Sequence, residues 1–399
     1  MKHFLYQLRR VKIKEILQIW KLPIALICVP FYKAKHRDLW IVCEDINEAR
    51  DNGYWFYKYV KKHHPEQECV YAISSKSPDL CKIKEIGDWI EFGTLKHWIL
   101  YLSSSKKISS QKAGNPNAAI FYFLEVYGLL HDDRIFLQHG ITKDDCKWLY
   151  YNVTKMKRFI CGAYPEYQYI SRNFGYPINN VVYTGFCRFD GLHDSIKNEE
   201  NIVLIMPTWR EWISDEDYRL KEYEGTTDIS KTEYFTNWTS LINDINLQVL
   251  SSKYNCRFVF FPHRNMQKYM NLFPESKAYI EIADSHSYDV QELMKKAAVM
   301  ITDYSSVFMD MVYMKKPVVF YQFDYEKFRR GQYAEGYFSY LNNPFGVSCS
   351  SKEQLLKELD RIISCKYKVS EEYLKAHSNY FTLYDSDNCK RVYDVVKQI

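Results

Sequence analysis

The chain is predicted to be an α/β protein made of two halves, each with a mostly parallel sheet covered by helices. From residue 39 onward, short apolar runs alternate with helical stretches, the pattern of such sheets. This alternation stops in a polar stretch at residues 194–201 and then begins again. The length of 399 residues also suffices for two separately packed cores. We therefore expect domains at residues 36–195 and 196–399, with a cleft between them.

Each half is expected to follow its own series of strands. The strands expected in the first half are Leu39–Glu44, Glu68–Ser74, Lys107–Ser110, Arg134–Gln138, Arg158–Cys161 and Val181–Thr184. Those expected in the second half are Ile202–Met206, Arg257–Phe261, Tyr279–Ile282, Val299–Thr302 and Pro317–Tyr321. The expected helices include Glu48–Lys62, Trp238–Ser251, Val290–Lys296 and Ser306–Met314. Because ligands of open α/β sheets bind beyond the carboxyl ends of strands, the residues after each strand are the site candidates.

The charge balance is mildly basic and limits the classes of partner. The chain has 54 basic and 49 acidic residues, a net charge of +5. This suits an anionic substrate or a membrane surface, and no nucleic-acid-binding signature is present. The 11 cysteines form no CxxC pair and no zinc spacing, which fits a reducing compartment. We expect no cofactor, and nothing indicates a metal site. The phosphate-binding GxxxxGK[ST] loop, GxGxxG and GxSxG are all absent, which disfavours an ATPase and a nicotinamide enzyme.

The amino-terminal residues 1–35 are expected to form a basic amphipathic segment on a membrane surface. Apolar residues at positions 13, 16, 17 and 20 share one helical face. The basic residues interleaved with them are Lys2, Arg9, Arg10, Lys12, Lys14 and Lys21. The apolar run Leu22–Tyr32 is shorter than the ~20 residues of a spanning helix. These features favour peripheral attachment to a cytoplasmic leaflet, whereas a helix packed on the protein's own surface is the alternative.

Polar residues that follow the predicted strands are of the types that bind phosphate. They are His139, Arg188, Arg210, His263, Arg264, Asp303, Ser305 and Ser306. Arginine offers a charged fork to phosphate oxygens, and serines at a helix start offer hydroxyl and N–H donors. Plainer alternatives are His139 as a core histidine, Arg188 as a partner of Asp190, and the Ser305–Ser306 pair and Asp303 as helix caps. Acidic pairs such as Asp132-Asp133 and Asp144-Asp145 follow no strand and are expected to be solvated loop charges.

Five segments appear in an order that resembles a known family: QHGITK, YTGFCRFD, MPTWR, FFPHRN and ITDYSSVFMDMVYMKKPVVFYQFDYEKF. The resemblance is to the CDP-glycerol glycerophosphotransferase family, enzymes that prime or polymerise teichoic acids and related capsular phosphopolymers. It is strong over residues 130–335 and weaker at residues 44–65. It implies a glycosyltransferase-B type fold of two Rossmann-like domains, with an acceptor-side first domain and a CDP-donor-binding second domain. It also implies peripheral attachment to the cytoplasmic face of a bacterial cell membrane.

The resemblance further implies the reaction and the roles of individual residues. An acceptor hydroxyl on a lipid-linked glycan or phosphopolymer attacks the β-phosphorus of a CDP-alditol and displaces CMP. His139 matches the general base, while His263 and Arg264 match the element at the donor pyrophosphate. The remaining matches to donor-side positions are Arg210, Ser305, Ser306, Asp303 and Asp310, the two aspartates either contacting ribose or acting as structural caps. Ile141-Thr142 replaces the Thr-Pro of many polymerases, so polymerase and single-addition activity both remain open.

Two other functions fit the same pattern. A nucleotide-sugar-dependent glycosyltransferase of this fold would also have two α/β halves and an arginine-lined cleft, but it would release a nucleoside diphosphate. A non-catalytic membrane-bound scaffold would tolerate replacement of His139, His263 and Arg264. Glycerol and ribitol donors would present the same pyrophosphate to the same residues, so the sequence leaves the alditol open.

Overall fold

The structure, a computed structural model, divides into two compact units. It describes residues 11, 13–112, 114–128, 130, 132–193, 200–214, 228–285 and 287–399. Unit 1 comprises the chain up to His139, together with Lys147–Gly191 and Asp385–Ile399. Unit 2 comprises Gly140–Cys146 and Leu192–Tyr384.

Unit 1 is built on a parallel sheet with the strand order β3-β2-β1-β4-β5-β6-β7. Its strands are β1 (Trp40–Cys43), β2 (Cys69–Ile73), β3 (Trp89–Glu91), β4 (Lys106–Ser109), β5 (Arg134–Phe136), β6 (Arg158–Cys161) and β7 (Val181–Tyr183). Its described helices are Ile13–Ile16, Lys21–Lys35, Asn52–His63, Leu80–Ile86, Leu95–Ser103, Ala118–Val126, Tyr151–Thr154, Tyr164–Asn173 and Asn388–Lys397, with a 3₁₀ turn at Lys147–Leu149. β1 and β2 are buried at every position, as expected for strands covered by helices on both faces.

Unit 2 has a second parallel sheet with the order β10-β9-β8-β11-β12-β13. Its strands are β8 (Ile202–Met206), β9 (Arg257–Phe260), β10 (Ile280–Ile282), β11 (Ala297–Thr302), β12 (Val318–Tyr321) and β13 (Ser348–Cys349). Its described helices are Glu211–Ser214, Glu233–Ile242, Ile245–Tyr254, Val290–Lys296, Phe308–Tyr313, Tyr325–Gly331, Lys352–Ser364 and Glu371–Tyr380, with 3₁₀ segments at Ile229–Lys231 and Arg264–Leu272. The helix Arg188–His193 spans the boundary between the two units in the chain.

The observed strands confirm the predicted alternation, and the differences have local causes. The short strands β3 and β13 were not predicted, because β3 (Trp89–Glu91) has only one buried position and ends in a charged residue, and β13 (Ser348–Cys349) has only two residues. The helix predicted over residues 238–251 is interrupted, and the structure has two helices there, Glu233–Ile242 and Ile245–Tyr254. Asp244 is the N-cap of the second helix, because its side chain accepts a hydrogen bond from Asn246 N.

The carboxyl-terminal helix Asn388–Lys397 packs in unit 1, whereas all of residues 196–399 were expected to form the second domain. The half-buried carboxylate of Asp190 accepts hydrogen bonds from the backbone N–H groups of Asn388 and Cys389, both at 2.9 Å. Arg391 Nε donates to Thr184 O at 2.8 Å. These long-range contacts join residues about 200 positions apart, so local sequence patterns do not reveal them.

The described part of the amino-terminal segment forms two helices with many exposed apolar side chains. The exposed large apolar residues here are Ile13, Ile16, Leu17, Ile19, Trp20, Ile24, Leu26, Ile27 and Phe31. Lys2, Arg9, Arg10 and Lys12 lie outside the described residues. Within the described ranges, no helix is both long enough and apolar enough to cross a membrane.

A buried histidine in unit 1 predicts a loss of stability in acid. His97 is fully buried, and its Nδ1 accepts a hydrogen bond from Gly93 N at 3.0 Å. Burial, with a smaller contribution from the charge of Lys21, lowers the pKa of His97 to about 3. The pKa of His97 is lower in the folded chain than in the unfolded chain, where it is about 6.5. Neutral His97 therefore contributes to the free energy of unfolding above pH 6.5, and this contribution is lost as the pH falls toward 3.

At pH 5 this contribution is smaller by about 2 kcal/mol than at pH 7, by the conversion of pKa shifts into free energy. We expect His97→Gln to reduce the difference in unfolding free energy between pH 7 and pH 5, measured by urea denaturation. The exposed His63 supplies the control, since His63→Gln should leave that difference unchanged. If His97→Gln loses as much stability between pH 7 and pH 5 as the wild-type chain, His97 is not the source of the acid sensitivity.

Candidate active site

Three loops at one edge of the unit 2 sheet carry most of the predicted site residues. The loop after β8 holds Arg210, the loop after β9 holds His263 and Arg264, and the loop after β11 holds residues 303–306. Since β9 and β11 both pair in parallel with β8, all three loops leave the same carboxyl edge. This is the edge at which parallel α/β sheets bind ligands.

Arg210 is buried inside unit 2 and holds the edge together. Its side chain is 0% exposed, and its guanidinium lies 2.7 Å from Asp324 Oδ2 and 2.8 Å from Asp303 Oδ2. The rings of Tyr304 and Phe328 lie 5.0 and 5.2 Å from the guanidinium carbon. Burial alone would lower the pKa of Arg210, but Asp324 and Asp303 outweigh it and raise the pKa.

Arg210 and Asp303 were expected to contact substrate, but in the structure their charged groups form an ion pair with each other. The other Asp303 oxygen, Oδ1, accepts hydrogen bonds from Thr208 N at 2.8 Å and Tyr304 N at 2.6 Å. The pair therefore ties the loop after β11 to the loop after β8. Asp310 is also buried, within the helix Phe308–Tyr313. We assign Arg210 and Asp303 a positioning role and not a direct phosphate contact.

His263 and Arg264 remain accessible at this edge. Arg264 is exposed at the start of the 3₁₀ segment, and His263 is half-buried. His263 Nδ1 accepts a hydrogen bond from Asn265 N at 3.1 Å, and the Trp209 ring stacks at 6.2 Å between centroids. Because Nδ1 is the acceptor, the neutral ring carries its proton on Nε2, which makes that atom a hydrogen-bond donor.

Ser305 and Ser306 lie in a turn that precedes the helix, whereas the sequence predicted a helix start at Ser306. The helix begins at Phe308, and Ser305 Oγ accepts a hydrogen bond from Val307 N at 3.3 Å. Both serines are half-buried. A Cβ added to Gly140 would lie 2.7 Å from Ser306 Oγ. The residue that directly follows His139 in the chain thus packs against the second serine.

In unit 1, His139 is exposed just beyond a sharply turned backbone. The turn lies at Gln138, whose φ of +61° is a left-handed conformation that is uncommon without glycine. Gln138 Nε2 donates to Ile160 O at 2.6 Å and to Glu166 Oε1 at 3.0 Å. The fully buried Asn52 donates to the carbonyl oxygens of Leu137 and Gln138 at 3.2 and 2.7 Å. The backbone before His139 is therefore held in place by buried hydrogen bonds.

Arg188 is buried in unit 1 and pairs with Asp51. Arg188 Nη1 lies 2.9 Å from Asp51 Oδ1, and the side chain is 4% exposed. Its guanidinium carbon lies 4.9 Å from the Phe186 ring, and its backbone N–H donates to Asn52 Oδ1 at 3.1 Å. The short helix that begins at Arg188 is thereby joined to Asp51 and Asn52, and a contact of this buried arginine with substrate stays a prediction.

Residues 140–146, which we call the connecting segment, are fixed in unit 2 by a buried ion pair. Asp144 Oδ1 lies 2.6 Å from Arg329 Nη1, and Lys143 Nζ bonds the other carboxylate oxygen. Asp145 N also donates to Ala334 O at 3.0 Å. Asp144 was expected to be a solvated loop charge, and that expectation is wrong, because the residue is buried beside two cations.

Gly140→Ala is predicted to disturb Ser306 and to destabilise unit 2. The added Cβ would lie 2.7 Å from Ser306 Oγ, so this half-buried hydroxyl must rotate away, at a cost of about 0.5–1.5 kcal/mol. The same Cβ would lie 3.7 Å from Ser306 Cβ, which is an ordinary contact. Ser306→Ala should therefore relieve the strain, and unfolding free energies of the two single variants and the double variant measure it. Equal costs of Gly140→Ala in both backgrounds would contradict the contact.

Five residues that support the loops of the candidate site were not predicted from the sequence. These residues are Asn52, Gln138, Glu166, Asp144 and Arg329. Asn52 stands in the weaker family-like stretch at residues 44–65, which was the available signal for it. The others act through partners far away in sequence. Among the described residues, no group of three or more His, Cys, Asp or Glu side chains could hold a metal ion.

Comparison with solved structures shows the fold. The wall teichoic acid polymerase TagF superposes with a TM-score of 0.65 at 16% identity, covering 96% of this chain and 98% of that one. A UDP-GlcNAc 2-epimerase from Methanocaldococcus jannaschii superposes with a TM-score of 0.54 at 11% identity, covering 91% of this chain. These similarities confirm the predicted α/β class with two Rossmann-like units.

Comparison with curated sequences and family models shows the family. The chain is 32% identical over 373 residues to the minor teichoic acid biosynthesis protein GgaB of Bacillus subtilis (strain 168), covering 91% of this chain and 40% of GgaB. It is 24% identical over 225 residues to a teichoic acid poly(glycerol phosphate) polymerase of Bacillus spizizenii, covering 52% of that protein. The chain thus spans about half or less of these relatives. A model of CDP-glycerol:poly(glycerophosphate) glycerophosphotransferases matches residues 29–398. The chain belongs to this glycerophosphotransferase family.

Proposed function

We propose that the chain transfers an alditol phosphate, such as glycerol phosphate or ribitol phosphate, from a CDP-alditol to an acceptor hydroxyl and releases CMP. The acceptor is a membrane-linked glycan or phosphopolymer of teichoic acid or capsule synthesis. The observation that carries the proposal is the set of accessible donor groups at one edge of the unit 2 sheet. His263 and Arg264 lie there on the loop after β9, and Ser305 and Ser306 lie on the loop after β11, which buried Arg210 ties to the loop after β8 through Asp303.

In this proposal, unit 2 binds the donor. Arg264 offers a charged fork to the pyrophosphate, and the serines at 305 and 306 offer hydroxyl donors. Such groups stabilise the charge that develops on the transferring phosphoryl group and on the leaving CMP. Arg188, Arg210, Asp303 and Asp310 are buried and support the loops.

Unit 1 supplies the general base in this proposal. An acceptor hydroxyl oxygen attacks the β-phosphorus, and the bond from that phosphorus to the oxygen bridging to the α-phosphorus breaks. His139 takes the proton of the attacking hydroxyl. The bridging oxygen leaves on CMP, and the Nε2–H of His263 donates a hydrogen bond to it. Exposed His139 is able to exchange its proton with solvent between turnovers.

The test is CMP release by the purified chain, offered CDP-glycerol and CDP-ribitol separately with a detergent-dispersed membrane extract as acceptor. CMP from one donor supports the proposal and names the alditol. If neither donor gives CMP and neither binds, the proposal is wrong and the nucleotide-sugar alternative is favoured. Release of a nucleoside diphosphate from a nucleotide sugar would establish that alternative.

We also propose that the amino-terminal helices attach the chain to the cytoplasmic face of the bacterial cell membrane. Their exposed apolar side chains include Ile27 and Phe31, at 70% and 74% exposure. Lys33 and Lys35 lie in the last turn of the same helix, where they would meet anionic headgroups. Interfacial helices bind membranes because their apolar side chains insert into the bilayer surface and their basic side chains are attracted to anionic lipids.

Vesicle sedimentation tests this attachment. Burial of one large apolar side chain contributes about 1.5–3 kcal/mol, so Ile27→Glu/Phe31→Glu should weaken binding to phosphatidylglycerol vesicles at least ~10-fold. Ile178 is 91% exposed elsewhere, and Ile178→Glu is the matched control. Equal binding of the double variant and the control would contradict the proposal.

A further inference from the structure

Unit 1 contains a cavity that the proposed reaction does not use. Its volume is about 390 Å³, within the range of small-molecule sites. One wall is the helix Ala118–Val126, which presents Ala119, Tyr122 and Phe123. Asn115, Glu125, Arg134 and Thr154 also line it.

Charged side chains of both signs line the cavity, Glu15 and Glu125 together with Lys112 and Arg134, so the lining carries no net charge. Arg134 Nη1 lies 2.5 Å from Glu125 Oε2, and Arg134 Nη2 donates to Thr154 O. Tyr101 OH donates to the other Glu125 oxygen at 2.7 Å. The ion pair is therefore neutral as a whole, and it gives little attraction to a charged ligand.

Asn115 is different, because its side-chain oxygen accepts no hydrogen bond from the residues that the structure describes. It is 5% exposed and lines the cavity. A buried amide oxygen without a donor costs folding free energy, so the cavity favours a ligand that brings a hydrogen-bond donor. An acyl chain brings none. A sugar ring brings hydroxyl donors, and its apolar C–H face suits the rings of Tyr122 and Phe123.

We propose that this cavity binds a neutral saccharide ring, with a sugar hydroxyl or amide N–H donating to Asn115 Oδ1. The role that we give this site, holding the glycan part of the acceptor, rests on the proposed function. The binding of a free sugar does not. The two can therefore fail separately.

The experiment is calorimetric titration of the full chain with glucose, N-acetylglucosamine and N-acetylgalactosamine, and with sodium octanoate as an acyl probe. We expect a sugar dissociation constant of ~1 mM, typical of a weak single-ring contact. Asn115→Leu should weaken binding at least ~10-fold while the chain stays folded, since it removes an unpaired oxygen. Ala119→Phe should fill the cavity and abolish binding. Ala278 is exposed on a unit 2 loop, so Ala278→Phe is the size-matched control.

Loss of sugar binding in both cavity variants, with binding kept in Ala278→Phe, would support the inference. No sugar binding at ~20 mM, twenty times the expected constant, would overturn it, as would unchanged binding in both cavity variants. Octanoate binding that Ala119→Phe abolishes would replace the saccharide with an apolar chain. CMP release by the wild-type chain tests the proposed function independently of these outcomes.

Discussion

His139→Ala is expected to lower the rate of CMP release by about 10²–10⁴-fold, the contribution typical of a general base. The affinity for CDP-alditol should change little, because the proposed donor contacts belong to unit 2 and His139 belongs to unit 1. The fold should also persist, because His139 is exposed and the turn before it is held by Asn52 and Gln138. Rates measured with saturating donor, together with donor titrations, separate these effects.

The matched control is His63→Ala, which removes another exposed histidine of unit 1. His63 stacks on Tyr59 at 4.7 Å and is not part of the candidate site, so its variant should turn over at the wild-type rate. If His139→Ala keeps the wild-type rate, the base lies elsewhere. If it loses donor affinity as much as rate, His139 binds the donor and does not act as the base.

Arg210→Met is expected to lower the unfolding free energy by about 3–5 kcal/mol, the cost of breaking a buried ion pair. The cost is large because the variant leaves the carboxylates of Asp303 and Asp324 buried without their cation. Loss of the tie between the loops after β8 and β11 should also weaken donor binding. Urea denaturation and donor titration measure the two effects.

Arg264→Met is the control, since Arg264 is exposed and its replacement should change stability by less than about 0.5 kcal/mol. Combining Arg210→Met with Asp303→Asn and Asp324→Asn removes the stranded charges, so the triple variant should lose less stability than Arg210→Met alone. An Arg210→Met variant as stable as Arg264→Met would show that the ion pairs do not hold this loop.

The sequence predicted the fold well because each element carries its own local signal. Apolar runs such as Ile202–Met206 are buried at every position, and the polar stretches between such runs indicate the loops. Position after a strand also predicted that His263, Arg264, Ser305 and Ser306 share one edge of the unit 2 sheet, and in the structure they do. It did not reveal whether a side chain at that edge faces solvent. Arg264 does, whereas Arg210 turns inward to Asp303 and Asp324.

The supporting residues could not be predicted because their partners are distant in the chain. Asp144 meets Arg329 across 185 positions, and Asn52 meets Gln138 across 86. The local sequence predicts that Asp144 and Asp145 are solvated, because the cation that pairs with Asp144, Arg329, comes close only in the folded chain. The left-handed turn at Gln138 is likewise stabilised by tertiary hydrogen bonds that no local preference indicates.

The most direct test of the central claim follows the phosphate itself. Purified chain would be given CDP-glycerol and CDP-ribitol, each labelled with ³²P at the β-phosphorus, together with the membrane extract. We predict label in the acceptor fraction, release of unlabelled CMP, and formation of both products about 10²–10⁴-fold more slowly with His139→Ala. Label that leaves in a nucleoside diphosphate, with the acceptor unlabelled, would contradict phosphate transfer and identify the chain as a transferase of the alditol alone.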